Sequence, residues 1–289
     1  MVVSQNMNRL FDDRHNGHKE KVLSAKTYHK RLQQLATKIA TVFEFAHVIA
    51  FQEVENKTIL EDLAKLLQVK FNRHYRAILE EGNDVSGIDV GFLVRHDVRI
   101  KSVSTLFQNQ TYSGKNVHLF SRPPLLLKVC RTDCVTIMNV HLRSMRGLNS
   151  AKTRRKVSLK RKAQAETLAR WIDHFQTRKA DQYLMVLGDF NALTPSDAYV
   201  DMIGTIRGEP DQQRPKWKSP DLVKNNLIDL SGRVPSEARY SYIYRKKKQL
   251  LDYLLISSNL DRLVIAISYT PIDRNQSDHG ALKGAFLLP

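Results

Sequence analysis

The chain has 289 residues, 42% hydrophobic and 26% charged, a globular composition with enough apolar material for a substantial core, which excludes disorder as the dominant state. No apolar run approaches the roughly 18–20 residues that cross a bilayer, so a transmembrane protein is excluded. Lys and Arg total 46 against 29 Asp and Glu, a formal charge of +17, which points to a polyanionic partner or an anionic membrane surface and says nothing of the fold.

Along the chain, Val2 to Asn6 reads as a short strand. Met1-Val2-Val3-Ser4 carries no charged region followed by an apolar core, so no signal peptide is expected within this sequence. Ser24 to Phe45 reads as a helix, with Leu32, Leu35, Ile39, Val42 and Phe43 at helical spacing behind a Ser cap. His47 to Phe51 is a compact strand, and a second helix runs from about Lys57 to Leu67. Strands follow at Tyr75 to Leu79, Ile88 to Val94, Val98 to Leu106, Leu125 to Val129 and Val135 to His141. Cys130 and Cys134 stand at the two ends of a three-residue hairpin loop, where they are either bridged or two thiols facing across a strand pair.

Ser150 to Arg178 reads as a long helix whose apolar stripe, Ala165, Leu168, Ile172 and Phe175, occupies only its second half. Its first half is a basic arm. Between Arg143 and Lys179 there are twelve Lys or Arg against Glu166 and Asp173. Further strands are expected at Tyr183 to Leu187, Tyr240 to Tyr244, Leu250 to Ile256 and Val264 to Ser268, with turn-rich sequence at Gly204 to Pro220 and Arg274 to Gly280. With no repeat, linker or composition break, residues 1–289 are expected to form one domain, and this order of elements suits two packed sheets flanked by helices.

Five apolar strands or turns end in acids, amides or histidines, where a sheet presents groups to a cleft: Gln52-Glu53, Asn139-Val140-His141, Gly188-Asp189-Phe190-Asn191, Leu251-Asp252-Tyr253 and Ser277-Asp278-His279. Each alone is a weak signal. Together they supply the inventory for a hard divalent cation and for the acid and base of phosphoryl chemistry.

In that order, and over nearly the whole chain, these motifs resemble the endonuclease/exonuclease/phosphatase superfamily. The resemblance implies a four-layered α/β sandwich, two mainly antiparallel sheets flanked by helices, with a single divalent metal, Mg²⁺ with Mn²⁺ or Ca²⁺ as substitutes, and hydrolysis of a phosphate ester. Asn6, in Gln5-Asn6-Met7-Asn8-Arg9, looks like the first-strand Asn of the family, with Arg9 where a second Asn often stands. Abasic-site endonucleases and exonuclease III relatives usually carry a Tyr and a proline-rich peptide where this chain has Asn139 to Ser144. Its His141, and Gly87-Ile88-Asp89-Val90-Gly91, are closer to the deoxyribonuclease I and secreted bacterial nuclease branch.

The roles follow from the chemistry of phosphodiester cleavage, which needs an activated water, neutralisation of the developing charge and protonation of the leaving oxygen. His279 is expected to be the general base, oriented by Asp252. Glu53 is expected to bind the metal, with Asn6 and Asp278 in or near its shell. Asp189 and Asn191 would position water and phosphate oxygens, and His141 would serve as acid or phosphate ligand, supported by Asp89. Arg122, Arg143, Arg154, Arg155, Lys156, Lys160 and Arg161 are expected to meet the nucleic-acid backbone, with Arg245 to Lys248 as the alternative basic surface.

The expected function is therefore a metal-dependent nuclease of low sequence specificity acting on DNA, most of all double-stranded DNA, with RNA left open. The alternatives are an abasic-site endonuclease of the exonuclease III type and a lipid or inositol phosphate phosphodiesterase. The latter is disfavoured because the charge is concentrated around one helix and no apolar hairpin is evident. A catalytically inert binding module is disfavoured because the acids, amide and both histidines occur together. Neither a membrane nor an obligate protein partner is expected. Export to an extracellular or periplasmic space is expected, a cytoplasmic enzyme being the alternative.

Overall fold

The computed structural model describes residues 1–17, 20–112, 117–178 and 182–287. Lys179, the last member of the basic run, lies outside them. The first part of the chain forms β1 (Val2–Leu10), α1 (Ala25–Thr41), β2 (Val48–Val54), α2 (Lys57–Phe71), β3 (Tyr75–Leu79), β4 (Asp89–Arg95), β5 (Arg99–Thr105), β6 (Leu125–Cys130) and β7 (Cys134–His141). The second part forms α3 (Ala151–Arg178), β8 (Tyr183–Asp189), α4 (Met202–Arg207), β9 (Ile228–Asp229), β10 (Tyr242–Tyr244), β11 (Lys247–Gln249), β12 (Asp252–Ile256), β13 (Val264–Tyr269) and β14 (Leu282–Phe286).

The helices begin where the sequence offers caps. The Ser24 hydroxyl accepts the Thr27 amide at 3.3 Å ahead of α1, and the Asn56 Oδ1 accepts the Ile59 amide at 3.0 Å ahead of α2. α2 stops at Asn72, which takes the left-handed conformation that asparagine tolerates.

Two six-stranded sheets carry the fold, ordered β13-β14-β1-β2-β4-β3 and β5-β6-β7-β8-β12-β9, with β10 and β11 as a separate hairpin. Both sheets are mixed: β1 runs parallel to β2 and β7 parallel to β8, and the remaining pairs are antiparallel. The central strands are apolar on both sides because each sheet is covered twice. Between the sheets lie Val48, Ala50, Phe92, Leu127, Ile137, Met185 and Leu254. On the outer side of the first sheet, Leu32, Leu35, Ile39, Ile59 and Leu63 of α1 and α2 pack on Ile49 and Phe51. On the outer side of the second, Ala165, Leu168, Ile172 and Phe175 of α3 pack with Met138, Leu184 and Val186. The architecture is thus the expected layering of helices, sheet, sheet and helices, and the apolar stripe of α3 is the buried one.

One backbone approach sets the site. Gly188 has φ +132°, and a Cβ there would lie 2.1 Å from the Val140 carbonyl oxygen. Only glycine allows β8 to run this close to β7, which places His141 directly beside Asp189 in the parallel register. Cys130 and Cys134 close the β6–β7 hairpin as a disulfide. Among the described residues no helix is long and apolar enough to cross a membrane.

Candidate active site

The ladder positions of three adjacent strands align the polar ends. His141 pairs with Asp189, and Asp252 pairs with Asp189 from the other side, so β7, β8 and β12 present a row of imidazole and two carboxylates at one end of the second sheet. The first sheet meets them there with Asn6 of β1 and Glu53 of β2. Glu53 sits at a register irregularity of β2 with φ +61°. A bulge of this kind bends a strand and re-aims a side chain, and the left-handed backbone costs on the order of 1–3 kcal/mol, which marks a position held for its chemistry.

Asn6 ties the two sheets' acids together. Its Nδ2 donates to Glu53 Oε1 at 3.2 Å and to Asp189 Oδ2 at 2.9 Å, while its Oδ1 accepts the Asn8 amide at 2.9 Å. It therefore presents its amide NH₂ to the carboxylates and orients them. Asp189 Oδ1 accepts the Asn191 amide at 2.8 Å, and Asn191 Nδ2 donates to Asp189 Oδ2 at 3.0 Å and to the Leu142 carbonyl at 3.2 Å. His141 Nε2 lies 3.5 Å from Asp189 Oδ2 and 3.7 Å from Glu53 Oε1.

The second histidine sits beside this group. His279 Nδ1 is 2.7 Å from Asp252 Oδ2, as the sequence predicted, and its Nε2 points to Asp189 Oδ2 at 4.0 Å. Its amide donates to Ser277 Oγ at 3.0 Å, and that hydroxyl donates to the Asn6 carbonyl at 2.7 Å. Ser241 Oγ accepts the amides of Leu251 and Asp252, each at 3.1 Å, fixing the start of β12.

Burial opposes charge on His279, but Asp252, through its charge and its hydrogen bond, and Asp189 outweigh it and hold the pKa up at about 10. Burial pushes the Asp189 carboxyl up, against the pull of the His279 charge and with that of Asp252. Burial, helped by the charges of Arg122 and His279, holds His141 well below its ordinary pKa. His141 is then a neutral imidazole, suited to donating one hydrogen bond or taking a cation.

A divalent cation fits this donor set. One ligand atom each from Glu53, His141 and Asp189 lie within 4.8 Å of one another, and two carboxylate oxygens beside a neutral imidazole suit a hard ion. Asp278 lines the same cleft but is not among these grouped atoms. The cleft has a volume of about 820 Å³ and is also lined by Arg9, Arg122, Asn191, Tyr242 and Tyr244.

Two expectations need correcting. Asp89 does not hold His141: the buried Nδ1 of His141 has no hydrogen-bond partner, and the Asp89 carboxylate takes a backbone hydrogen bond from Gly82. Arg161 does not face solvent. It is fully buried, its Nε and Nη2 donate to Asp197 Oδ2 at 3.0 and 2.7 Å, and its Nη1 donates to the carbonyls of Asn191, at 2.8 Å, and Arg143. Arg161 stands four residues before Ala165, in phase with the apolar stripe, and that spacing could have shown that it points inward.

The other basic candidates divide by exposure. Arg155 and Lys156 are exposed on α3. Arg154 donates to the Leu148 carbonyl at 2.7 Å with its guanidinium over the Tyr199 ring, and Lys160 donates to the His118 carbonyl at 2.8 Å. Arg143 donates to Ser144 Oγ at 2.9 Å, and Arg122 pairs with Asp84 at 2.7 Å while lining the cleft.

Several supporting residues had no assigned role in the sequence. Asn139 donates to the carbonyls of Phe51 and Gly91, each at 3.0 Å, and its Oδ1 accepts from Gln52 at 2.7 Å, a buried bracket between the sheets. Gln5 donates to the carbonyls of Asn6 and His279 at 2.6 and 3.2 Å and is itself held by Lys38 at 2.8 Å. Tyr242, whose ring centre is 5.0 Å from that of His279, left no sequence signal beyond its aromatic type.

Two sheets that join their polar strand ends into one acidic, histidine-bearing cleft define a phosphoesterase-type site. The sequence matches the Endonuclease/Exonuclease/phosphatase family over residues 4–277, and the chain belongs to that family. Members of the family are metal-dependent phosphoesterases. No curated protein matches the sequence. Among solved structures, TDP2 of D. rerio complexed with single-strand DNA product shares 16% identity and a TM-score of 0.63, the alignment covering 99% of this chain and 98% of that one. The 3′ phosphatase NExo from Neisseria, bound to a product DNA hairpin, shares 16% identity and a TM-score of 0.61 with 99% of each chain covered. ANGEL2, a 2′,3′-cyclic phosphatase, shares 15% identity and a TM-score of 0.60, covering 98% of this chain and 93% of that one. At such identities the likeness is one of fold.

Proposed function

We propose that the protein is a divalent-metal-dependent phosphodiesterase that cleaves DNA with low sequence specificity, using Mg²⁺, and prefers duplex substrate. The observation that carries this reading is the convergence of Glu53, His141, Asp189 and the His279–Asp252 pair in one cleft of a chain with a formal charge of +17. Glu53 and Asp189, with His141 beside them, would hold the cation, which would supply charge neutralisation for the five-coordinate transition state. His279 accepts the proton of the attacking water at Nε2 while Asp252 fixes Nδ1–H and stabilises the imidazolium. Asp189 stands after Asp252 among the charges that raise the pKa of His279, so a cation that engaged the Asp189 carboxylate would lower that pKa from about 10. The neutral His141 donates a hydrogen bond to a phosphate oxygen, and Asn191 holds the Asp189 carboxylate in place.

A second reading, removal of a terminal 3′ phosphate, is favoured by the NExo relative with its product DNA hairpin. The disulfide between Cys130 and Cys134 supports export to an oxidising space. One assay separates the readings. Supercoiled plasmid, linear duplex, single strand, an abasic oligonucleotide and a 3′-phosphorylated oligonucleotide are each incubated with Mg²⁺ and with EDTA. Nicking of intact plasmid in Mg²⁺ alone is the expected result, and release of phosphate from the 3′ end without nicking refutes endonuclease activity.

A further inference from the structure

The hairpin of β10 and β11 stands beside the catalytic cleft, and a second cavity lies against its other strand. Tyr242 and Tyr244 line the catalytic cleft, while Lys247 and Lys248 line the second cavity, of about 580 Å³. The two cavities share Leu193, Ser196 and Gln249, so they are neighbours along a common wall. Cations from three separate elements meet in the second: Arg207 at the end of α4, Arg239 ahead of the hairpin, and Lys247 and Lys248 of β11. Asp229 is the acid in its lining, and Arg207 pairs with Glu209. Lys248 donates to the Glu237 carbonyl at 2.9 Å and Arg239 to the Val234 carbonyl at 2.7 Å, which fixes their positions without neutralising them.

Like charges gathered in a concave wall repel one another and focus a positive field, and an anion seated among them relieves that cost.

We propose that this second cavity is a phosphate subsite, which seats the backbone phosphate of the substrate strand next to the one being cleaved. This rests on the phosphodiesterase reading and deepens it: a polynucleotide has a second phosphate to offer, and a small phosphodiester does not. Arg207 and Arg239 supply planar donors suited to phosphate oxygens, and Lys247 and Lys248 supply point charges.

The test measures binding of a fluorescein-labelled 12-nucleotide single strand of thymidylate by anisotropy in EDTA, so that no hydrolysis is needed. Three full-length proteins are compared: wild type, Lys247→Gln/Lys248→Gln, and the equal-charge control Lys26→Gln/Lys30→Gln on exposed positions of α1. The hairpin variant is expected to bind about ten-fold more weakly and to lose about 1.4 from the slope of log K against log salt, two contacts at about 0.7 each. The control should change affinity by less than about two-fold, and bis(p-nitrophenyl) phosphate hydrolysis in Mg²⁺ should be the same in all three. Equal loss in both variants, no loss in the hairpin variant, or no binding by wild type overturns the subsite. Strand binding with the expected losses but no hydrolysis of any phosphodiester by wild type refutes the phosphodiesterase reading instead.

Discussion

Arg161 gives the sharpest contrast between a basic residue that binds a partner and one that holds the protein together. Its guanidinium is enclosed with the Asp197 carboxylate and reaches the carbonyls of Asn191 and Arg143, two segments that flank the catalytic row. Asp197 Oδ1 also accepts the amides of Tyr199 and Val200 at 2.9 and 2.7 Å, so the pair pins a whole loop to α3. Replacing Arg161 with Gln leaves a buried carboxylate without its cation, a change that costs about 3–5 kcal/mol. In a chain of this size each kcal/mol lowers Tm by about 2–4 °C, so the loss should lie between about 6 and 20 °C. Arg155→Gln, exposed one turn and a half earlier on the same helix, should move Tm by no more than about 2 °C. Scanning calorimetry on both variants and on Arg161→Gln/Asp197→Asn checks this, and the double variant should lose less than the sum of the two single ones because each already breaks the shared pair. A normal Tm for Arg161→Gln together with weakened DNA binding would refute the buried clamp and restore the residue to the binding surface.

Gly188→Ala should lower Tm and cut activity together, because the added Cβ meets the Val140 carbonyl and drives apart the strands that carry His141 and Asp189; a soluble variant with unchanged Tm contradicts the close approach. Asp89 is raised by burial to a pKa of about 7, so between about pH 4 and 7 the native state binds more protons than the unfolded chain and stability falls as pH rises. The Tm of Asp89→Asn relative to wild type should therefore be several degrees higher at pH 8 than at pH 5, and an equal difference at both pH values would count against this. The Cys130–Cys134 loop is short, so its closure contributes only about 2 kcal/mol by chain entropy; reduction should lower Tm by about 4–8 °C and leave activity in place. Loss of activity on reduction alone would show that the hairpin matters to the site.

Much of the fold is legible because its strands are covered on both sides and read as continuous apolar runs, as in Val48 to Phe51 and Leu184 to Leu187. β14 was not, since Leu282-Lys283-Gly284-Ala285-Phe286 alternates weakly and carries a glycine; its partners β1 and β13 make it a strand. α4 is hidden in turn-rich sequence because six residues show too little periodicity to register. The candidate site is legible where chemistry sits at the end of an apolar run: Glu53, His141, Asp189, Asp252 and His279 all come together. What escapes is partner choice. Arg161 and Asp89 are polar in any reading, and only the placement of Asp197 and Gly82 decides that one is a clamp and the other is not hydrogen-bonded to His141. The bracket of Asn139 with Gln52 and the tilted ring contact of Tyr242 with His279 likewise join residues far apart in sequence.

The central claim is that His279, oriented by Asp252, takes a proton in a metal-assisted cleavage of phosphodiesters, and the turnover of bis(p-nitrophenyl) phosphate in Mg²⁺ tests it most directly. His279→Ala, with wild-type circular dichroism and Tm within a few degrees, should lower kcat by about 10² to 10⁴, and EDTA should abolish wild-type turnover. A His279→Ala protein that keeps more than about a tenth of wild-type kcat, far above the residue expected when a general base is removed, would contradict the account.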